Sequence, residues 1–268
     1  MVMEYDKEKH IVFRISGPTA GVANRMHGYC HAKIFSDLTN KKLLIHDNHR
    51  GFRNKTYKVM SDIFEIDFEF IKRRSTLGLP SPWDSAHKEG MLQRLNLNLS
   101  ETEYCKMFLD NFLDFKFAPA IQLEADKFIQ QHLQLQTDII GVHIRTERGR
   151  AKARYFSEND VETCVIQIQK FLHQYNLNSV FITGGKMYNV LHGIKEKLIG
   201  SGVNVISDET STYARDSVEW LRDMEILSRC KFVMGHYHST YATASARIKA
   251  KDFIDLKIGE KVIPPYTH

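Results

Sequence analysis

The residues with most chemistry in them fall in three short stretches. The first, residues 141–150, reads GVHIRTERGR. His143 and Arg145 stand two apart at the end of a β-branched run, so in an extended strand they share a face. Arg145 offers a planar, permanently charged fork matched to phosphate oxygens, and Arg148, Arg150, Lys152 and Arg154 add positive potential beside it. Glu147 supplies a carboxylate able to take a proton from a hydroxyl, with Glu158 and Asp160 next in line. The same residues also read as a surface loop of solvated arginines, with Glu147 paired to Arg148 or Arg150.

The second stretch, residues 235–248, reads GHYHSTYATASARI. Ser239 and Thr240 open a helix, where backbone N–H groups and the helix dipole favour an anion and two hydroxyls add donors. Ser239 taken alone reads better as an ordinary N-cap. His236 and His238 have a spacing that could hold a metal, but no third ligand accompanies them. The third stretch, residues 16–28, reads SGPTAGVANRMHG, with Asn24 and Arg25 as its polar candidates. Its glycines lie between a strand and a helix as in a phosphate loop, yet it has neither GxGxxG nor the Lys-Ser/Thr ending of a Walker loop.

Bringing such stretches together requires a particular scaffold. HIVFRIS predicts a strand, residues 25–38 a helix and KKLLIHD a second strand, a β-loop-α-β opening. Residues 48–119 alternate less regularly: SDIFEIDFEFI is compatible with a short helix and a strand, and STLGLPSPWDSAHKEG is rich in breakers. A helix over 120–133 leads through QLQTD into the strand DIIGVHI, and the shift in composition there divides the chain into 1–136 and 137–268. Helices over 158–174, 188–199, 217–228 and 239–246 then alternate with the strands NSVFITG, VNVIS and KFVMG. That pattern predicts an α/β fold with a parallel sheet and right-handed crossovers. Ligands of such sheets bind beyond the carboxyl ends of the strands, where the first two stretches fall.

The composition narrows the function classes. The 268 residues are 43% hydrophobic and 26% charged, with no apolar run near the roughly 18 needed to span a bilayer. MVMEYDKEKH has charges where a secretory signal needs an apolar stretch, so a cytoplasmic location is expected. Cys30, Cys105, Cys164 and Cys230 form no CxxC pair and read as free, mostly buried thiols. The net charge of +5 is dispersed, unlike the concentrated basic stripe of a nucleic-acid binder.

Taken in order, the Gly-x-x-Asn-Arg turn before a helix and LTNKKLLI, the mid-chain GVHIR and the late MEILSRCKFVMGHYHSTYATAS resemble the GDP-fucose-dependent fucosyltransferase superfamily. That group holds the α1,6-fucosyltransferases, the protein O-fucosyltransferases and the plant xyloglucan enzymes, and the likeness runs from about residue 11 to 256. It implies the GT-B architecture, two Rossmann-like domains facing each other across a cleft, with the donor held mainly by the second. It also implies an inverting glycosyltransferase with no obligatory metal and no cofactor beyond the nucleotide-sugar co-substrate, GDP-fucose. The acceptor would be a hydroxyl of a glycan or glycoconjugate.

Carried over to this chain, Arg145 would grip the β-phosphate and His143 the base or ribose. Ser239 and Thr240, with His238 beside them, would bind the diphosphate, and Asp208 would read guanine. Asn24 and Arg25 would face the transferred sugar or the acceptor, and Arg145, Glu147 and Asn24 form the expected catalytic set. Breaking the glycosyl–phosphate bond creates an oxocarbenium-like sugar and a highly negative diphosphate, so without a metal the positive charge must come from the protein.

Three departures from the family pattern bear on the donor. VFITGGK stands where relatives carry Ala-Thr-Asp, which removes an acidic group and brings in Lys186. Tyr241 replaces a common Phe, and Gly149 and the arginines after Glu147 do not match the usual Arg-Thr-Asp continuation. A different donor such as UDP-xylose, or a non-catalytic nucleotide- or glycan-binding module, are the alternatives these changes raise. The chain is short for the superfamily, and the amino-terminal membrane anchor of its Golgi members is not expected.

Overall fold

A computed structural model describes residues 6, 8–14, 21–46, 62–66, 92–93, 96–132, 138–146, 156–184, 188–208 and 217–262. The chain divides into two compact units, one of residues 1–118 with 265–268 and one of residues 119–264.

In the first unit, β1 (His10–Arg14) pairs in parallel with β2 (Lys42–His46), from His10 beside Lys42 to Arg14 beside His46. The connection is α1 (Val22–Thr39), which ends on Asn40 in the left-handed conformation. Asparagine tolerates that conformation better than most side chains because its short polar group bonds locally. Helix α1 is buried along most of its length, including His27 and His31, and so behaves as a core helix. It lies on α2 (Glu101–Leu113), where His31 Nδ1 is 2.6 Å from the Tyr104 hydroxyl and Asn111 donates to the Cys30 carbonyl at 3.3 Å. Phe64, Phe108, Phe112, Phe115 and Phe117 are almost completely buried and close the apolar centre of this unit.

Helix α2 falls in the stretch whose sequence pattern is irregular, and its local signal is Ser100-Glu-Thr-Glu103. The Ser100 hydroxyl accepts from the Glu103 N–H at 3.2 Å, while the Glu103 carboxylate accepts from the Ser100 N–H at 3.0 Å. That reciprocal capping box satisfies two groups that a helix start otherwise leaves without partners.

The second unit begins with α3 (Pro119–His132), which packs on α6 (Val218–Arg229). The contacts therefore group α3 with this unit, whereas the composition shift in the sequence lies after it. A six-stranded sheet follows: β3 (Ile140–Ile144), β4 (Ser179–Gly184), β5 (Asn204–Ile206), β6 (Phe232–Gly235), β7 (Phe253–Asp255) and β8 (Glu260–Val262). The strand order is β5-β4-β3-β6-β7-β8, with every pairing parallel except β7 with β8. The crossovers include α4 (Val161–Gln174), α5 (Tyr188–Gly200) and α7 (Thr240–Ile248).

Strands β3, β4 and β6 are buried at every position, as a parallel sheet covered by helices on both faces requires. Helix α4 presents Cys164, Val165, Ile168, Phe171 and Leu172, a one-sided stripe at helical spacing, to Ile140, Val142, Val180 and Ile182. Each such side chain contributes about 1.5–3 kcal/mol by leaving water. All four cysteines are free thiols, and burial pushes Cys164 and Cys230 up to about 12. Among the described residues, no helix is long and apolar enough to cross a membrane.

Candidate functional site

In this strand order the sequence of connections reverses between β3 and β6. Crossovers from neighbouring strands then leave on opposite sides, and the loops at the carboxyl ends part to form a crevice. His143 lies level with Gly235 in the β3–β6 pairing, so both strands deliver their terminal residues to the same place. The approach is close: a Cβ at Gly235 would stand 3.0 Å from the Ala242 Cβ and 3.1 Å from the His143 carbonyl oxygen. A glycine there lets α7 sit tightly over the ends of both strands.

Beyond Gly235 the chain turns through residues 236–239, and the Ser239 N–H donates to the His236 carbonyl at 2.7 Å. Ser239 then caps α7, its hydroxyl 3.4 Å from the Ala242 N–H that it accepts and 3.4 Å from His143 Nδ1. Arg145, just past β3, donates from Nη1 to the His238 carbonyl, also at 3.4 Å. These are long contacts for hydrogen bonds, near the limit of useful strength. His143, Arg145, His238, Ser239 and Thr240, which are expected to act together, therefore meet at one edge of one sheet. Ser239 is fully buried, while Thr240 and Arg145 are partly exposed.

The imidazole of His143 is held among apolar neighbours. Its ring centre lies 4.6 Å from that of Tyr241, whose hydroxyl donates to the Trp220 carbonyl at 2.6 Å. Trp220 continues the column at 4.0 Å from Tyr241. Burial, reinforced by the charge on Arg145, lowers the His143 pKa to about 3. A charged imidazolium would be dehydrated and repelled there, so the ring is neutral at ordinary pH and acts through hydrogen bonding. What remains is a fixed guanidinium beside the N-terminal turn of α7, whose first N–H groups have no acceptor within the helix. An anion is the chemistry that arrangement suits.

A different arrangement occupies the ends of β4 and β5. Asp208 accepts from Arg222 Nη2 at 2.7 Å, and the same guanidinium reaches Asp223 Oδ1 at 2.6 Å and 3.0 Å. Asp223 Oδ2 accepts from the Thr183 hydroxyl at 2.8 Å. Arg222 also lies 4.7 Å from the centre of the Phe128 ring. Burial pushes the Asp223 carboxyl up to about 6, with Arg222 and Thr183 acting in the opposite direction. Any guanine read by Asp208 would share that carboxylate with Arg222. The sequence reading passed over Arg222 and Asp223, which lie in the stretch from Leu221 to Ser228 that is buried throughout and so need partners.

A Cβ at Gly184 would lie 2.4 Å from the Ile144 carbonyl oxygen, so no larger side chain fits without moving β3. Lys186 lies outside the described residues, as do Glu147, Arg148, Arg150, Lys152 and Arg154. Of the other candidate bases, Asp160 accepts from the Ser157 N–H and hydroxyl at 2.7 Å each, and Glu158 accepts from Asn189 at 3.3 Å. Asn24 and Arg25 belong to the first unit, in the opening turn of α1. Asn24 is half-buried there, and Arg25 is 1% exposed. His236 and His238 have ring centres 5.1 Å apart, and Nδ1 of His236 lies 3.3 Å from an Asp255 carboxylate oxygen. Among the described residues no group of three or more His, Cys, Asp or Glu gathers in metal-binding geometry.

No family model matches this chain, and no curated protein matches it. Solved structures do. The chain is similar to the NodZ α-1,6-fucosyltransferase soaked with GDP-fucose, with a TM-score of 0.63 and 16% identity over 97% of this chain and 100% of that one. It is similar to the NodZ fucosyltransferase from Bradyrhizobium at a TM-score of 0.59 and 15% identity, over 96% of this chain and 98% of that one. It is also similar to POFUT1 in complex with GDP-fucose, at a TM-score of 0.57 and 12% identity, over 92% of this chain and 95% of that one. The chain thus has a fucosyltransferase-like α/β fold over nearly its whole length, at identities where fold is shared and chemistry is argued from the site.

Proposed function

We propose that this chain is a glycosyltransferase that moves a sugar from a nucleotide-sugar donor, GDP-fucose foremost, to a hydroxyl of a glycan or glycoconjugate, with inversion and without a metal. The observation that carries the reading is the meeting of Arg145 with the capped start of α7 at the reversal point of a parallel sheet. Solved structures of similar fold, soaked with GDP-fucose or in complex with GDP-fucose or GDP, support the choice of donor.

The chemistry follows from charge. As the C1–O bond to phosphate breaks, both electrons stay with the diphosphate, and the new negative charge falls beside Arg145, the Thr240 hydroxyl and the first amides of α7. The acceptor oxygen forms its bond to C1 from the opposite face and gives up its proton to a carboxylate, for which Glu147 is our candidate. Fixed positive charge does here what a divalent cation does in metal-dependent transferases. His143, neutral and buried, orients the ribose or base by hydrogen bonding. Asn24 and Arg25 are assigned to the sugar and acceptor side, the work of the first of the two Rossmann-like domains in a GT-B arrangement, and the enzyme is assigned to the cytoplasm.

The test is release of nucleoside diphosphate from GDP-fucose and from a panel of other nucleotide sugars including UDP-xylose, with acceptor oligosaccharides and in the presence of EDTA. Transfer from GDP-fucose that persists with EDTA is the expected result. Transfer from a UDP-sugar alone would change the donor, and absence of both turnover and binding for every nucleotide sugar would end the proposal.

A further inference from the structure

Asp255 lies in the last position of β7, next to β6, and is 1% exposed. Its Oδ2 accepts from the Tyr237 N–H at 2.8 Å and lies 3.3 Å from Nδ1 of His236, and its Oδ1 accepts from the Lys257 N–H at 2.8 Å. Burial alone would push this carboxyl up. The His236 ring and the two N–H groups outweigh it, and the net direction is downward, toward the charged form. A buried carboxylate satisfied on both oxygens is a rigid anchor.

What it anchors is the turn of residues 236–239. Asp255 holds the first two residues; the third supplies the carbonyl on which Arg145 rests; the fourth caps α7 and faces His143. The Ser239 N–H closes the turn on the His236 carbonyl, so a movement at one end is felt at the other. From this geometry we infer that Asp255 is a positioning residue for diphosphate recognition: through the 236–239 turn it sets the place of the Arg145 guanidinium and of the α7 N-terminus. This rests on the reading given under Proposed function. The carboxylate itself faces inward, and its effect on ligand is indirect.

The distinction from a merely structural role lies in what it acts through. In Asp255→Asn protein, affinity for GDP should fall about tenfold, the scale of one displaced charge-assisted hydrogen bond, while affinity for GMP should change by less than about twofold. In an Arg145→Lys background the same substitution should cost GDP binding no more than about twofold, because residues acting through one another do not add. Titration calorimetry of the wild type and three variants with GDP and GMP, and with UDP and UMP in parallel, reads all of this.

Equal weakening of diphosphate and monophosphate, or an undiminished penalty in the Arg145→Lys background, would overturn the inference while leaving the proposed function standing. Wild-type protein that binds no nucleoside diphosphate would remove both. If circular dichroism shows Asp255→Asn unfolded, His236→Gln loosens the same anchor from its other side and should give the same selective loss for GDP.

Discussion

The carboxyl edge of one sheet carries two arginines in contrasting settings. At the ends of β4 and β5, Arg222 is clasped by Asp208 and Asp223, and the second carboxylate is tied in turn to Thr183. At the ends of β3 and β6, Arg145 rests on a main-chain carbonyl at 3.4 Å, beside a neutral imidazole and a helix start. The first is a closed network of short bonds whose positive charge is spent inside the protein. The second includes a long contact to a neutral carbonyl that a ligand's oxygens can replace. The same residue type is held by carboxylates at one place and, under the proposed function, serves recognition at the other, and its partners make the difference.

The largest effect expected from breaking that contrast is on folding. Arg222→Ala leaves Asp223 as a buried carboxylate without its cation and should cost about 3–5 kcal/mol in denaturant unfolding, with any loss of activity following the loss of folded protein. Arg145→Ala should do the reverse, reducing sugar transfer on the order of 10²- to 10³-fold at nearly unchanged melting temperature. If Arg145→Ala instead unfolds the protein and keeps its activity per folded molecule, the contrast fails.

Acidity separates the two edges as well. The pKa of Asp223 is raised to about 6 in the folded state, so the stability it contributes is present below its unfolded value and is lost as pH rises through about 6. The melting temperature of wild type relative to Asp223→Asn should therefore fall between pH 4 and pH 7. The His143 pKa is lowered to about 3, so its contribution is present above about 6.5 and is lost as pH falls toward 3. Relative to His143→Gln, the wild type should lose stability over that acid range. Opposite slopes in the two comparisons would sharpen the distinction, and parallel slopes would erase it. Ser239→Ala gives the smallest change, about 1 kcal/mol from the lost cap, with a modest weakening of nucleotide binding if α7 frays.

Much of the second unit is legible in the sequence. Short apolar runs alternating with helical stripes predict β3, β4, β5 and β6 and the helices between them, since burial on both faces of β3, β4 and β6 demands continuous apolar strands. The closing strands β7 and β8 are only three residues each, too short for a periodic signal, and they lie outside the elements read from the sequence. Helix α2 carries a capping box that announces its start, but its neighbours obscure the period that follows. The His-x-Arg and Ser-Thr pairs were recognisable as site candidates from residue type and position alone. Asp255 was not, because a lone aspartate at the end of a three-residue strand looks like any surface carboxylate.

Local sequence determined which segments are helix and strand and which residues can carry charge or hydrogen bonds to an anion, because those properties depend on the residues themselves and their nearest neighbours. Only the tertiary structure decided that strands far apart in the sequence lie side by side with Arg145 against the carbonyl of His238, that Arg222 is consumed by two carboxylates, and that Asp255 holds the 236–239 turn that leads into α7. Strand order sets these contacts, and the free energy that selects it is spread over the whole buried core, so no short stretch of the chain contains it.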